Sequence, residues 1–220
     1  MSRQVIPVSQ EQCPAHLRAN RSALTRWIGR TFYRSIGWNL EGSLANTERL
    51  LVVAAPHTSN WDFVFGISMV LGINARIAWL GKHTIFVPGF GWFMRWLGGI
   101  PVNRDKPEAV MGYVNEAVKK DNGLIIVVAP EGTRGKSKKW KSGFLRIAKN
   151  NNCTIQMGAL DFPNKRIVLG DVFEPTGDNE ADIAAIIQYY NQFEGRYPDL
   201  VSYTHQTLPT TREVCRTHTS

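Results

Sequence analysis

Cysteine is scarce in this chain, and the few that occur do not group: Cys13, Cys153 and Cys215 are far apart and form no C-x-x-C pair. Neither a disulfide framework nor a thiolate zinc site is expected, and a reducing compartment fits best. Long hydrophobic runs are also missing. No apolar stretch approaches the roughly 20 residues that span a bilayer, and residues 1–20 have no hydrophobic signal core, so neither spanning nor secretion is expected. Acidic residues are outnumbered, 18 against 26 Lys plus Arg, leaving a formal charge of +8 and a pI near 9.6. That balance implies an anionic partner: nucleic acid, an anionic membrane surface or a phosphorylated metabolite. No G-x-S-x-G element offers a serine nucleophile and no Walker-type glycine loop occurs, which weighs against an esterase or an NTPase.

What is present is an alternation. Apolar runs at 50–55 (LLVVAA), 76–80, 99–103, 124–129, 154–160 and 166–173 read as strands buried on one or both faces. Helical signals lie between several of them. Pro107 opens one helix with Val110, Val114, Ala117 and Val118 on a stripe and Gly123 beyond its end; another starts near Asp178 and repeats Ile183, Ile186, Ile187, Tyr190 and Phe193. The expected fold is a single α/β domain with a largely parallel mixed sheet flanked by helices, and 220 residues suit one such core. Residues 1–20 read as an N-terminal arm and 21–200 as the domain. Residues 201–220, rich in threonine and without apolar period, resemble translated sequencing-adapter sequence and read as a non-native tail, which leaves a natural C-terminal portion unaccounted for.

Three stretches hold the chemistry. Directly after LLVVAA, residues 56–63 read PHTSNWDF, with His57 and Asp62 five positions apart. On a regular helix that spacing puts them about 140° apart, so His57 must sit in the turn before a helix, from where its ring can fold back to Asp62. A carboxylate there fixes the imidazole tautomer and stabilises imidazolium, as a general base requires. Ser59 to Asp62 equally fits a helix-capping pattern, and alone the two readings balance. The second stretch, 98–106 (GGIPVNRDK), offers Arg104 at a strand end, where a guanidinium fork suits a phosphate. The third, after 124–129, presents Glu131, Gly132, Thr133 and Arg134 in a turn. Ligands of open α/β sheets bind outside the carboxyl ends of strands, and these loops point to one crevice there.

In order, HTSNWD, GGIPVNR and PEGTR resemble the motifs of the glycerolipid acyltransferase family, which includes lysophosphatidate acyltransferases, over residues 38–173. The resemblance implies the glycerol-3-phosphate acyltransferase-like fold. It assigns His57 as general base, Asp62 as its partner and Ser59 to substrate binding. Arg104 then meets the acceptor's phosphate, and Glu131, Gly132, Thr133 and Arg134 form the acceptor-binding block. The chain departs from the family pattern at Pro56 and Ala129, where Asn and Phe are common, and in a fourth block that lacks its proline.

The implied reaction moves an acyl group from a thioester, acyl-CoA or acyl-carrier protein as co-substrate, to a hydroxyl of a lysophospholipid, without a cofactor or metal. The competing reading is a basic nucleic-acid or anionic-membrane binding module built on 134–141 (RGKSKKWK) with Trp140 as its aromatic. No nucleic-acid motif accompanies it, so nucleic acid is not the expected partner. In residues 23–38, Leu24, Ile28, Phe32 and Ile36 form one stripe and Arg26, Arg30 and Arg34 another about 200° away. That pattern, with 90–96 (FGWFMRW), suits a cytoplasmic protein docked peripherally on the inner face of an anionic membrane.

Overall fold

The run Leu50–Ala55 alternates its side chains between two cores, as a strand buried on both faces must. Leu51, Val53 and Ala55 enter one core; Leu50 and Val52 enter the other. Around it, the computed structural model describes residues 7–103, 107–120, 123–133, 135 and 140–201. Its strands are β1 (Asn39–Gly42), β2 (Leu50–Ala55), β3 (Ile77–Lys82), β4 (Gly99–Val102), β5 (Ile125–Val128), β6 (Thr154–Asp161) and β7 (Arg166–Phe173). They form one sheet in the order β1-β7-β6-β2-β5-β3-β4. From β6 to β4 all neighbours are parallel; β7 turns back antiparallel to β6 and pairs parallel with β1.

The helices are α1 (Ala23–Ser35), α2 (Asn60–Ile73), α3 (Gly91–Trp96), α4 (Pro107–Lys120), α5 (Gly143–Asn151) and α6 (Asn179–Tyr190). One core contains buried side chains of α4, α5 and α6; the other holds those of α1 and α2. The chain is thus an α/β domain of three layers with a mostly parallel sheet, as the alternation of runs predicts. Residues 7–20 contribute Val8, Cys13 and Leu17 to the second core, so this stretch is packed on the domain. At the other end Val201, inside the range read as a tail, is buried in the first core, while 202–220 lie outside the described residues.

One helix pair sets the geometry of the second layer. A Cβ on Gly29 would lie 2.7 Å from the Gly72 backbone nitrogen and 2.8 Å from the Ser68 carbonyl oxygen, so α1 and α2 touch backbone to backbone. Gly29 and Tyr33 are the buried residues of α1, and Tyr33 donates its hydroxyl hydrogen to the Asn39 carbonyl at 2.6 Å. This choice of face places Arg26 and Arg30 toward the domain: Arg26 donates to the Arg21 carbonyl at 2.6 Å, and Arg30 to the Gly72 carbonyl in the last turn of α2 at 2.8 Å. A cation suits that negative helix end. Leu24, Trp27 and Ile28 consequently remain 65%, 61% and 50% exposed. Among the described residues no helix is long and apolar enough to cross a membrane.

Candidate functional site

The strand β2 ends at the sheet's carboxyl edge, and the next four residues, 56–59, turn directly into α2. Ser59 is the helix cap: it is buried and its Oγ accepts the Trp61 N–H at 2.9 Å. Asp62, in the first turn, reaches back so that Oδ2 accepts the N–H of Thr58 at 2.7 Å and of Ser59 at 2.8 Å. His57 Nδ1 lies 3.1 Å from the same oxygen. Capping and pairing with histidine are therefore not alternatives; one carboxylate oxygen does both.

The contact fixes the imidazole. A carboxylate only accepts, so in the neutral imidazole Nδ1 is the atom that bears the hydrogen and Nε2 the one that keeps its lone pair. The His57 side chain is 24% exposed and that of Asp62 is 2% exposed, which leaves the ring reachable and its partner enclosed. Asp62 Oδ1 is buried with no hydrogen-bond partner among the described residues.

A second carboxyl group stands behind the histidine. Glu131 follows β5, is buried, and accepts the His57 backbone N–H at Oε1 over 3.0 Å. Burial pushes its pKa up to about 7, opposed in part by the His57 N–H. The carboxyl group holds its proton more tightly in the fold than in the unfolded chain, where it titrates near 4.5. Its contribution to stability is thus complete below about pH 4.5 and is lost as pH rises through about 7. Glu131→Gln, which cannot ionise, is expected to flatten the fall in melting temperature between about pH 5 and 8. Parallel slopes in parent and variant would show that this carboxyl group does not set the dependence.

Gly132 adopts φ +66°, the left-handed region, and the aliphatic end of Lys141 packs on it, with Nζ 3.3 Å from where a Cβ would stand. Thr133 Oγ1 accepts the Gly135 N–H at 3.2 Å. Glu131, Gly132 and Thr133 thus gather beside His57, while Arg104 and Arg134 lie outside the described residues.

A cavity of about 670 Å³ opens at these groups. Its polar side chains are His57, Asp62, Lys82, Thr133, Lys141 and Arg146; the remaining lining is apolar or glycine, with Phe63, Ile67, Trp79 and Met111 among it. Apolar walls with a cationic rim suit an amphiphile having a hydrocarbon chain and an anionic group. The sequence reading missed Lys82 and Arg146, which stand in no motif, and took Lys141 with its neighbours as part of a surface patch. Trp140, the proposed aromatic of that patch, is buried and packs on Tyr190 with ring centroids 5.7 Å apart. It is not free to stack on a base, which removes the aromatic element of the nucleic-acid reading.

The Acyltransferase family model matches residues 38–157. Two curated relatives are each called 1-acyl-sn-glycerol-3-phosphate acyltransferase. The protein of Streptococcus pneumoniae is 28% identical over 124 residues, covering 51% of this chain and 45% of the relative. That of Pseudomonas aeruginosa is 24% identical over 182 residues, covering 74% and 68%. The chain thus spans less than half of one relative's length and about two thirds of the other's. Among solved structures, the 1-acyl-sn-glycerophosphate (LPA) acyltransferase PlsC of Thermotoga maritima superposes with a TM-score of 0.50 at 17% identity, covering 77% of this chain and 78% of that one. At that identity the likeness is one of fold.

Proposed function

Because this chain belongs to the acyltransferase family, we propose that it transfers a fatty acyl group from an acyl thioester to the free hydroxyl of a lysophospholipid, with His57 as general base. The observation that bears most weight is the free Nε2 of His57, set by Asp62, at the mouth of an apolar cavity with a basic rim. Nε2 takes the proton of the acceptor hydroxyl as its oxygen attacks the thioester carbonyl. Asp62 stabilises the resulting imidazolium. The tetrahedral intermediate collapses, the C–S bond breaks, and the thiolate leaves with the proton returned from His57. No acyl-enzyme is needed.

The names of the relatives favour lysophosphatidate as acceptor. Arg104 and Arg134 are proposed for its phosphate, with Ser59, Glu131, Gly132 and Thr133 shaping the site around His57. Lys82, Lys141 and Arg146 suit the phosphates of a donor such as acyl-CoA or the phosphopantetheine of acyl-carrier protein. The deciding experiment incubates the purified chain with labelled acyl-CoA or acyl-carrier protein and a panel of lysolipids. Labelled diacyl product from lysophosphatidate is the expected result. Thioester hydrolysis with no acylated lipid would overturn the reading.

Such a substrate lies in a membrane, and the exposed apolar face of α1 supports peripheral docking on the inner, anionic leaflet. Arg21, two residues before α1, stands over the Trp96 ring of α3 at 5.9 Å, and in α3 Trp92 is 67% exposed. Of the arginine stripe, Arg26 and Arg30 donate to carbonyls within the domain while Arg34 is exposed, which favours the apolar side chains as the main contact. Binding to vesicles should therefore follow the apolar side chains: Leu24→Ser with Ile28→Ser is expected to weaken it by about tenfold or more, given roughly 1.5–3 kcal/mol for a fully buried side chain of this size. Cosedimentation of the double variant at parent levels would place the contact elsewhere.

A further inference from the structure

The chain after α6 returns to the sheet's carboxyl edge, where Phe162 donates its N–H to the Glu194 carbonyl at 3.0 Å. It then straps across the turn that bears His57. Gly195 is buried so tightly that a Cβ would lie 2.8 Å from Thr58 Oγ1 and 3.3 Å from Pro56. Tyr197 donates its backbone N–H to Thr58 Oγ1 at 3.3 Å. Between these two anchors stands Arg196, whose guanidinium lies 5.4 Å from the Trp61 ring centroid and 5.8 Å from that of Tyr197. Trp61 directly precedes Asp62 in the first turn of α2.

The arginine is exposed, and among the described residues it has no ion pair. Two aromatic rings hold its planar head without using its hydrogen-bonding edge, which is the part that recognises a phosphate. Trp61 and Tyr197, 45% and 49% exposed, supply the amphipathic surroundings of an interfacial site. In the sheet, β6 and β5 flank β2 on opposite sides. Of the cavity's basic residues, Lys82 ends β3 and Lys141 donates its N–H to the Pro130 carbonyl just after β5, whereas Arg196 follows Glu194, whose carbonyl is bonded to Phe162 just after β6. A reaction with two anionic substrates has use for a cationic group on each flank of its base.

We propose that Arg196, held by Trp61 and Tyr197, is a further contact for the phosphate of a glycerolipid, added on the β6 side of His57 to the arginines already assigned to it. The proposal rests on the acyl-transfer reading for its ligand class, and its test contains no acyl donor, so the two fail separately. The full chain is titrated with a short-chain lysophosphatidate and with the matching monoacylglycerol, followed by tryptophan fluorescence, and cosedimented with phosphatidylglycerol vesicles. Arg196→Gln is expected to weaken lysophosphatidate binding by about tenfold or more, leave the monoacylglycerol unchanged, and be partly rescued by Arg196→Lys. A loss confined to the vesicles supports the same chemistry and assigns the phosphate to a bilayer lipid instead of the acceptor. Arg196→Gln that binds both soluble lipids and vesicles as the parent does, or weakens both soluble lipids equally, overturns the proposal.

Discussion

Replacing His57 with alanine is expected to lower acyl transfer by about 10²- to 10⁴-fold while leaving the thermal transition nearly in place. The ring is partly exposed and its backbone N–H, which holds Glu131, survives the substitution. The fold therefore loses little, whereas the acceptor hydroxyl loses its proton acceptor. Steady-state rates with lysophosphatidate, read beside a melting curve, separate the two effects. A folded His57→Ala protein with parental turnover would remove the general base from this site.

Asp62→Asn is expected to act on both readouts. The carboxylate oxygen that accepts two backbone N–H groups and faces His57 Nδ1 is replaced by an amide whose second atom must enter the space of the unpartnered Oδ1. Loss of the charge removes the stabilisation of imidazolium and of the positive helix end. A fall in turnover of about 10²- to 10⁴-fold is expected, with a destabilisation of about 1–3 kcal/mol from the poorly matched buried polar group. Urea unfolding and initial rates check both parts. A protein that melts lower and turns over at the parental rate would reduce Asp62 to a helix cap.

The strands that could be read from the sequence are those whose side chains feed a core. β1 was not among them, because in Asn39–Gly42 only Leu40 is buried. The nine-residue α5 also escaped; Ser142 precedes it without making a side-chain cap, and its apolar stripe is short. The periodicity of α1 was legible, but not which stripe packs. Gly29 and Tyr33 decide that, since only a residue without a side chain lets the two backbones meet, and of the apolar stripe Leu24, Ile28 and Phe32 are left outside while Ile36 packs against the core. Trp140 shows the same limit: its charged neighbours suggest surface, yet Tyr190 receives it in the core. For His57 and Asp62 the spacing required a turn followed by a helix, and the structure has both. Lys82 and Arg146 converge on the cavity from separate segments, and no local pattern announces that.

The Gly29–Gly72 contact gives the protein a mechanical datum. It clamps α1 near the far end of α2, ten residues along from Asp62, or about 15 Å of helix. If α1 floats at the lipid surface as proposed, α2 becomes a rigid strut that sets how high the histidine stands above the hydrocarbon. A bulkier residue at position 29 would then alter not the chemistry but the altitude at which it happens, and with it the range of acceptors that can be lifted into reach.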